Sequence, residues 1–382
     1  MGSGERFEAL DAGRGVCAIL VVVFHFIAEM DSDLRQVTFF RNSYLFVDFF
    51  FVLSGFVLCH SYRGRIASPQ DFWRFVVKRV GRVWPLHATV LVAFIAAIVT
   101  IGMLPHPKAL DLTWHTGSYT VQAIVPSAFL LTAFGLQGSV WNGPAWSIGA
   151  EFYTYLLFAL VMMFWVQRLV IIALTLSVAA LAVLYWNAPA LMNSTWDYGF
   201  IRCIAGFFAG IVTYRVYSLV GTTTLLRATM WEVAVISGIV LFVSMAGENG
   251  DNVSPLSLAA PLVFGWAVVV FARQQGLVSL LLLTRPFRAL GRYSFSIYMI
   301  HMPMLIVLCY GAWYFGYRTL TFHDGGEAAP IGSSGLLMVD FVLAVIVVAA
   351  ASYRFIETPA RLRFNRIADG KRRSPRDTLA RA

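Results

Sequence analysis

An arginine and a histidine stand at the two ends of RGVCAILVVVFH, residues 14–25, with ten apolar or glycine residues between them. Guanidinium is a permanent cation suited to phosphate, and imidazole is the side chain best placed to exchange a proton near neutrality. Eleven residues of helix advance about 16 Å and complete about three turns. Arg14 and His25 therefore share one stripe of one helix. Other ionisable groups sit in equally apolar surroundings: Asp48 in YLFVDFFFVLSGF, Glu151 in WNGPAWSIGAEFYTY, Arg202 in GFIRCIAGFFAG and His301 in GRYSFSIYMIH. A charge at the centre of a helix in lipid costs about 2.5–3.5 kcal/mol even on the lenient insertion scale. Such groups pair with each other or line a wet cavity, and they mark functional sites.

Each also has a plainer reading. A neutral His25 can bond a neighbouring helix. Asp48 can be the partner of Arg202, whose neighbours Gly206 and Gly210 mark a close-packing face. Glu151 stands near a helix start, where the dipole favours a carboxylate. His301 precedes Pro303 and can satisfy a carbonyl that the proline leaves free. Glu357, in RFIETPARLR, has arginines for company, and Ser54 in VLSGF reads as a packing residue. Arg79 and Arg82, three apart in KRVGRVWPLH, share a helix face. They either anchor the next span or form a phosphate clamp beside Arg14.

The elements that position these groups follow from hydropathy. The chain has 382 residues, 59% of them hydrophobic and 13% charged, which is the composition of an integral membrane protein. The fold class expected is all-α and polytopic, with about ten transmembrane helices. They are expected at residues 15–30, 43–61, 83–103, 146–165, 168–187, 199–218, 229–246, 255–272, 293–316 and 334–356. The first is read as an uncleaved span, because no small-residue cleavage site follows it. Residues 119–136, apolar but broken by Pro126, are expected to be interfacial or re-entrant and outside the ten.

Charge tests the count. Segment 61–82 carries Arg63, Arg65, Arg74, Lys78, Arg79 and Arg82 against Asp71, and segment 273–292 carries four arginines and no acid. Eight basic residues follow Glu357. Segments 104–145 and 247–254 hold hardly any cations. Basic loops stay cytoplasmic, so ten spans place both termini inside. One membrane domain, 1–360, is expected, followed by a basic cytoplasmic tail, 361–382. The net charge of +9 is thus accounted for by a lipid bilayer, and no nucleic-acid partner is implied. Cys17, Cys59, Cys203 and Cys309 all fall in apolar segments and read as packing residues, with no metal site. The chain has no P-loop, no strand-borne GxGxxG, no HExxH and no paired CxxC. Nucleotide hydrolysis, Rossmann redox chemistry and zinc proteolysis therefore lack support.

Five stretches, taken in order, resemble the acyltransferase-3 family of integral-membrane O-acyltransferases. They are FEALDAGRGVCAILVVVFHF, VDFFFVLSGFVL, KRVGRVWPLH, NGPAWSIGAEFYTY and ALGRYSFSIYMIH. The resemblance implies transfer of an acyl group, commonly acetyl, from cytoplasmic acyl-CoA to a hydroxyl of a carbohydrate: polysaccharide, lipopolysaccharide or a glycosylated small molecule. It implies a bacterial cytoplasmic (inner) membrane, and acyl-CoA as co-substrate with no permanently bound cofactor. On that reading Arg14, Arg79 and Arg82 hold the coenzyme's phosphates. His25 acts as general base or as the nucleophile of an acyl-histidine. Glu151, or else Asp48, fixes its tautomer. Trp114, His115, Tyr119 and Trp141 either stack on a sugar or anchor at the interface. Two rivals use the same residues differently: a proton-coupled transporter or flippase with a His/Asp/Glu relay, and a structural membrane subunit.

Overall fold

The computed structural model describes residues 6–30, 32–106, 119–135, 141–249, 252–317 and 334–370. Among the described residues, nine stretches are long and apolar enough to cross a membrane. One of them, Ala145–Asn187, is 43 residues long and contains two helices separated by a 3-10 turn at Val166–Arg168. The ten expected spans are therefore present, and the protein is an all-helical multi-pass membrane protein. The described strands amount to one two-residue hairpin, Glu248–Asn249 with Asn252–Val253.

The spans are α1 (Glu8–Glu29), α2 (Phe46–Tyr62), α3 (Pro69–Gly102), α4 (Ala145–Trp165), α5 (Leu169–Asn187), α6 (Gly199–Tyr217), α7 (Leu225–Ala246), α8 (Ala260–Ala272), α9 (Arg285–Tyr314) and α10 (Ser334–Ser352). A π-turn at Tyr353–Glu357 leads into a last helix, α11 (Thr358–Ala368). That helix packs on α3, with Phe364 against Gly81 and Lys78 2.8 Å from Asp369.

Three helices begin well before the apolar runs that announce them. Helix α3 starts at Pro69, where Ser68 caps it: its hydroxyl accepts from the Asp71 amide and donates to the Asp71 carboxylate. Proline at a first turn suits the start of α3, and of α9 as well. Hydropathy marks the length that lipid covers, whereas caps mark where the helix starts. The polar extensions carry Arg14, Arg79, Arg82, Arg288 and Arg292 as helical residues on one face of the bundle, here called the basic face.

Segment 119–135 does not span. It folds as a 3-10 turn at Val121–Ala123, a short helix at Ile124–Ala128 and an irregular turn with Leu130 at φ 61°. Side chains of neighbouring helices satisfy its carbonyls. His87 Nε2 donates to Ser127, Trp84 Nε1 to Ala128 and Tyr153 to Phe129, at 2.7, 3.1 and 3.0 Å. Irregular backbone at membrane depth is tolerated where protein groups satisfy it. Trp114 and His115 lie outside the described residues. Trp141 is fully buried and donates to the Thr120 carbonyl at 3.0 Å.

Helices α1 and α9 cross backbone to backbone. A Cβ built on Gly15 would lie 2.5 Å from the Leu290 carbonyl carbon, and one on Gly291 would lie 2.4 Å from the Asp11 carbonyl oxygen. Only glycine lets two backbones approach this closely, and without a hydrophobic drive between helices in lipid such contact supplies the packing. The pair α2/α6 uses the same device, with Gly55 on the Phe207 carbonyl and Gly210 on that of Val52. Gly291→Ala is expected to cost about 1–3 kcal/mol by overpacking, seen as a lower thermal midpoint in detergent. Gly311→Ala, on the same helix with nothing within 4 Å, should leave that midpoint unchanged.

Candidate active site

Both α1 and α9 run the same way from their glycine contact, so residues ten further along each meet again about 15 Å deeper. Those residues are His25 and His301. Their rings are 4.9 Å apart between centroids, with His301 Nε2 3.2 Å from His25 Nδ1. Each ring also turns its Nδ1 back to the carbonyl four residues earlier, His25 to Val21 at 3.0 Å and His301 to Ile297 at 3.2 Å. His301 is fully buried. The carbonyl four residues before Pro303 is that of Met299, and Asn142 Nδ2 bonds it at 3.1 Å. Asn142, not His301, therefore compensates for the proline.

Three cavities lie in line. The first, about 310 Å³, opens at the basic face and is lined by seven arginines. Arg14, Arg79 and Arg82 are among them, joined by Arg6, Arg288, Arg292 and Arg361, which spacing alone had not brought to the same place. Glu8 holds Arg288 at 2.9 Å and Asp11 lies 3.8 Å from Arg14. Arg79 donates to the Tyr62 hydroxyl at 3.3 Å and lies near the rings of Tyr62, Phe75 and Tyr155, yet its buried Nε has no acceptor among the described residues. A cavity in which arginines outnumber acids, with a guanidinium donor left over, is suited to phosphate.

The second cavity, about 40 Å³, shares Arg14, Ser54, Ser294 and Phe295 with the first. Glu151 lines it, hydrogen-bonded by the Ser54 hydroxyl. The third, about 380 Å³, shares Val47 and Tyr298 with the second, and His25 is on its wall. Its other walls are largely aromatic, including Tyr44, Tyr119, Trp141 and Trp146. Between the second and third cavities the Tyr298 hydroxyl and Ser147 Oγ stand 2.7 Å apart, both within bonding distance of the Pro144 carbonyl.

Two expected partnerships differ from what the fold contains. Glu151 does not touch His25: it faces Ser54 in the middle cavity, on the basic-cavity side of Tyr298. Asp48 is 0% exposed and grips Arg202, itself 1% exposed, through both oxygens, at 2.9 Å to Nε and 2.7 Å to an amino nitrogen. Arg202 further donates to the carbonyls of Tyr44 and Ser194 and lies 5.3 Å from the Trp146 ring. This is the Asp48–Arg202 pairing of the plainer reading, and it organises the far cavity's wall. Glu357, the last residue of the π-turn, lines the basic cavity and accepts from Ser296 Oγ at 3.1 Å.

One buried acid escaped the sequence reading. Glu232 on α7 accepts from the amides of Gly276, Val278 and Ser279 and from the Ser279 hydroxyl, at 2.5–3.2 Å. It caps the short helix Leu277–Leu282 and stands apart from the cavities. Its only sequence signal is an acid in an otherwise apolar run.

The model of a known family, described as an acyltransferase domain, matches residues 7–354. A protein named acyltransferase MdmB, from Streptomyces mycarofaciens, is 26% identical over 392 aligned residues, covering 93% of this chain and 91% of that protein. A protein named protein 2 in picA locus, from Rhizobium radiobacter, is 32% identical over 156 residues, 38% of this chain and 78% of that one. No solved structure matches.

Removing one partner of a buried ion pair costs about 3–5 kcal/mol. Asp48→Asn should therefore abolish a monodisperse peak on size-exclusion chromatography, or sharply lower the thermal midpoint. Glu151→Gln keeps an acceptor for Ser54 and should behave like the wild type in the same assay.

Proposed function

Since the chain belongs to the acyltransferase-3 family of membrane acyltransferases, we propose that it moves an acyl group, acetyl foremost, from acyl-CoA to a hydroxyl of a carbohydrate. The acceptor is extracytoplasmic or membrane-associated, and the enzyme spans a bacterial cytoplasmic membrane with its basic face inward. What supports this reading is the line of three cavities from the arginines to His25. The coenzyme's phosphates sit among Arg14, Arg79 and Arg82, and the pantetheine arm follows the cavity line toward the third chamber. The aromatic chamber receives the acceptor, its rings offering flat apolar faces to a sugar.

The step itself is balanced within the site. His25 takes the proton of the acceptor hydroxyl, whose oxygen attacks the thioester carbonyl carbon. The carbon–sulfur bond then breaks, and the departing thiolate takes the same proton back from the imidazolium. No external acid or base is consumed. The Tyr298–Ser147 contact stands across the path and must part for the thioester to reach His25. One membrane domain, ending near residue 360, carries all of these groups.

Purified protein in detergent, titrated with acetyl-CoA, should bind it and release free coenzyme A faster when a cell-envelope glycan fraction is added. His25→Ala should still bind, with turnover reduced by about 10²–10⁴-fold, the usual worth of a general base. Arg82→Ala should raise KM for acetyl-CoA about tenfold or more, since one charge-assisted hydrogen bond is worth about 1.5–3 kcal/mol. Wild-type turnover by His25→Ala would sink the base assignment. Absence of acetyl-CoA binding would put the transporter reading in first place.

A further inference from the structure

The contacts of the two histidines restrict where their protons sit. Val21 and Ile297 offer carbonyl oxygens, which only accept, at 3.0 and 3.2 Å from the respective Nδ1 atoms. His301 Nε2 and His25 Nδ1 face each other at 3.2 Å, so one of them donates. If His301 Nε2 carried the proton, both Nδ1 lone pairs would point at carbonyl oxygens, and two contacts would be repulsive. If His25 Nδ1 and His301 Nε2 both carried one, two hydrogens would collide. With each neutral ring protonated on Nδ1, all three contacts are satisfied. His25 Nδ1–H is then shared between the Val21 carbonyl and His301 Nε2, and His25 Nε2 keeps a free lone pair.

We propose that His301 is a positioning residue: by accepting from His25 Nδ1–H it holds His25 in the tautomer whose Nε2 is the base presented to the acceptor. The proposal rests on the reading of His25 as general base and adds what fixes its proton. It also assigns the tautomer-fixing role, expected of Glu151 or Asp48, to a neutral group. An acceptor of this kind brings no charge to the middle of the bilayer, where a carboxylate would be costly. His301 suits the task because its own Nδ1 is tied to Ile297. Its Nε2 is left to accept, and burial at 0% exposure keeps water from replacing it. A ring held by its carbonyl alone would be free to turn away from the cavity during turnover.

The test compares two substitutions with acetyl-CoA as donor and the glycan fraction as acceptor. His301→Gln keeps an acceptor oxygen close to the place of Nε2, and His301→Phe keeps the ring's shape without any acceptor. His301→Phe should lose kcat by about 10²–10⁴-fold, the usual worth of a general base, with KM for acetyl-CoA unchanged. His301→Gln should recover kcat to within about tenfold of wild type. Wild-type kcat in the Phe variant would overturn the proposal. So would an equal loss in both variants while each still binds acetyl-CoA. Should His301→Phe fail to fold, nitrogen NMR of 15N-histidine-labelled wild type reads the His25 tautomer directly, and a proton on Nε2 would overturn the proposal. A dead His25→Ala alongside an active His301→Phe would remove the positioning role and leave the base assignment standing. An active His25→Ala would remove both.

Discussion

Backbone contact between α1 and α9 at Gly15 and Gly291 is the constraint on which the rest of the site depends. Two parallel helices touching at one point keep their register along the same line, so the depth of His25 relative to His301 is set by that contact. It also sets the relation between the cationic end and the basic nitrogen, because Arg14 neighbours Gly15 and Arg292 neighbours Gly291. Neither histidine needs a loop to carry it, and rigid helices hold a pairing more closely than loops do.

Around this pair the bundle separates two kinds of polar group. Asp48 with Arg202, and Glu232 with the amides of Gly276, Val278 and Ser279, satisfy each other and hold irregular backbone in place. A buried charge pair of this sort costs desolvation and returns it only through complete hydrogen bonding. Arg202 meets that condition by also serving the carbonyls of Tyr44 and Ser194. The arginines of the basic cavity lack carboxylates enough to neutralise them, and they keep their fields directed into open space.

The legible part of this protein was the part written locally. Ten apolar runs, the alternation of basic and acid-poor loops, and the eleven-residue step from Arg14 to His25 are each carried by neighbouring residues. Arg14, Arg79 and Arg82 do line one cavity, as their places just before the apolar runs suggested. Harder to read were contacts whose partners are far apart in the chain. His25 meets His301 across 276 positions and Glu151 meets Ser54 across 97. Which of several intramembrane polar groups pairs with which depends on register, and register depends on where glycines let backbones touch. Gly15 and Gly291 stand in the quoted motifs, but nothing in either stretch says that they face each other. Helix starts were misplaced at α1, α3 and α9 for a different reason, since hydropathy is blind to polar turns that capping stabilises.

The Asp48–Arg202 pair also bears on how the protein is made. The two residues lie 154 positions apart, so the ribosome delivers α2 well before α6. At roughly 5–20 residues per second the interval is roughly 8–30 s, far longer than a helix takes to form. Throughout it α2 must stay in the membrane with its acid unmatched, held by Phe46, Phe49, Phe50, Phe51 and Phe56 of the same helix. Arrival of the arginine then fastens the two halves of the chain together. The phenylalanine-rich character of that span is thus as much a requirement of biogenesis as of packing.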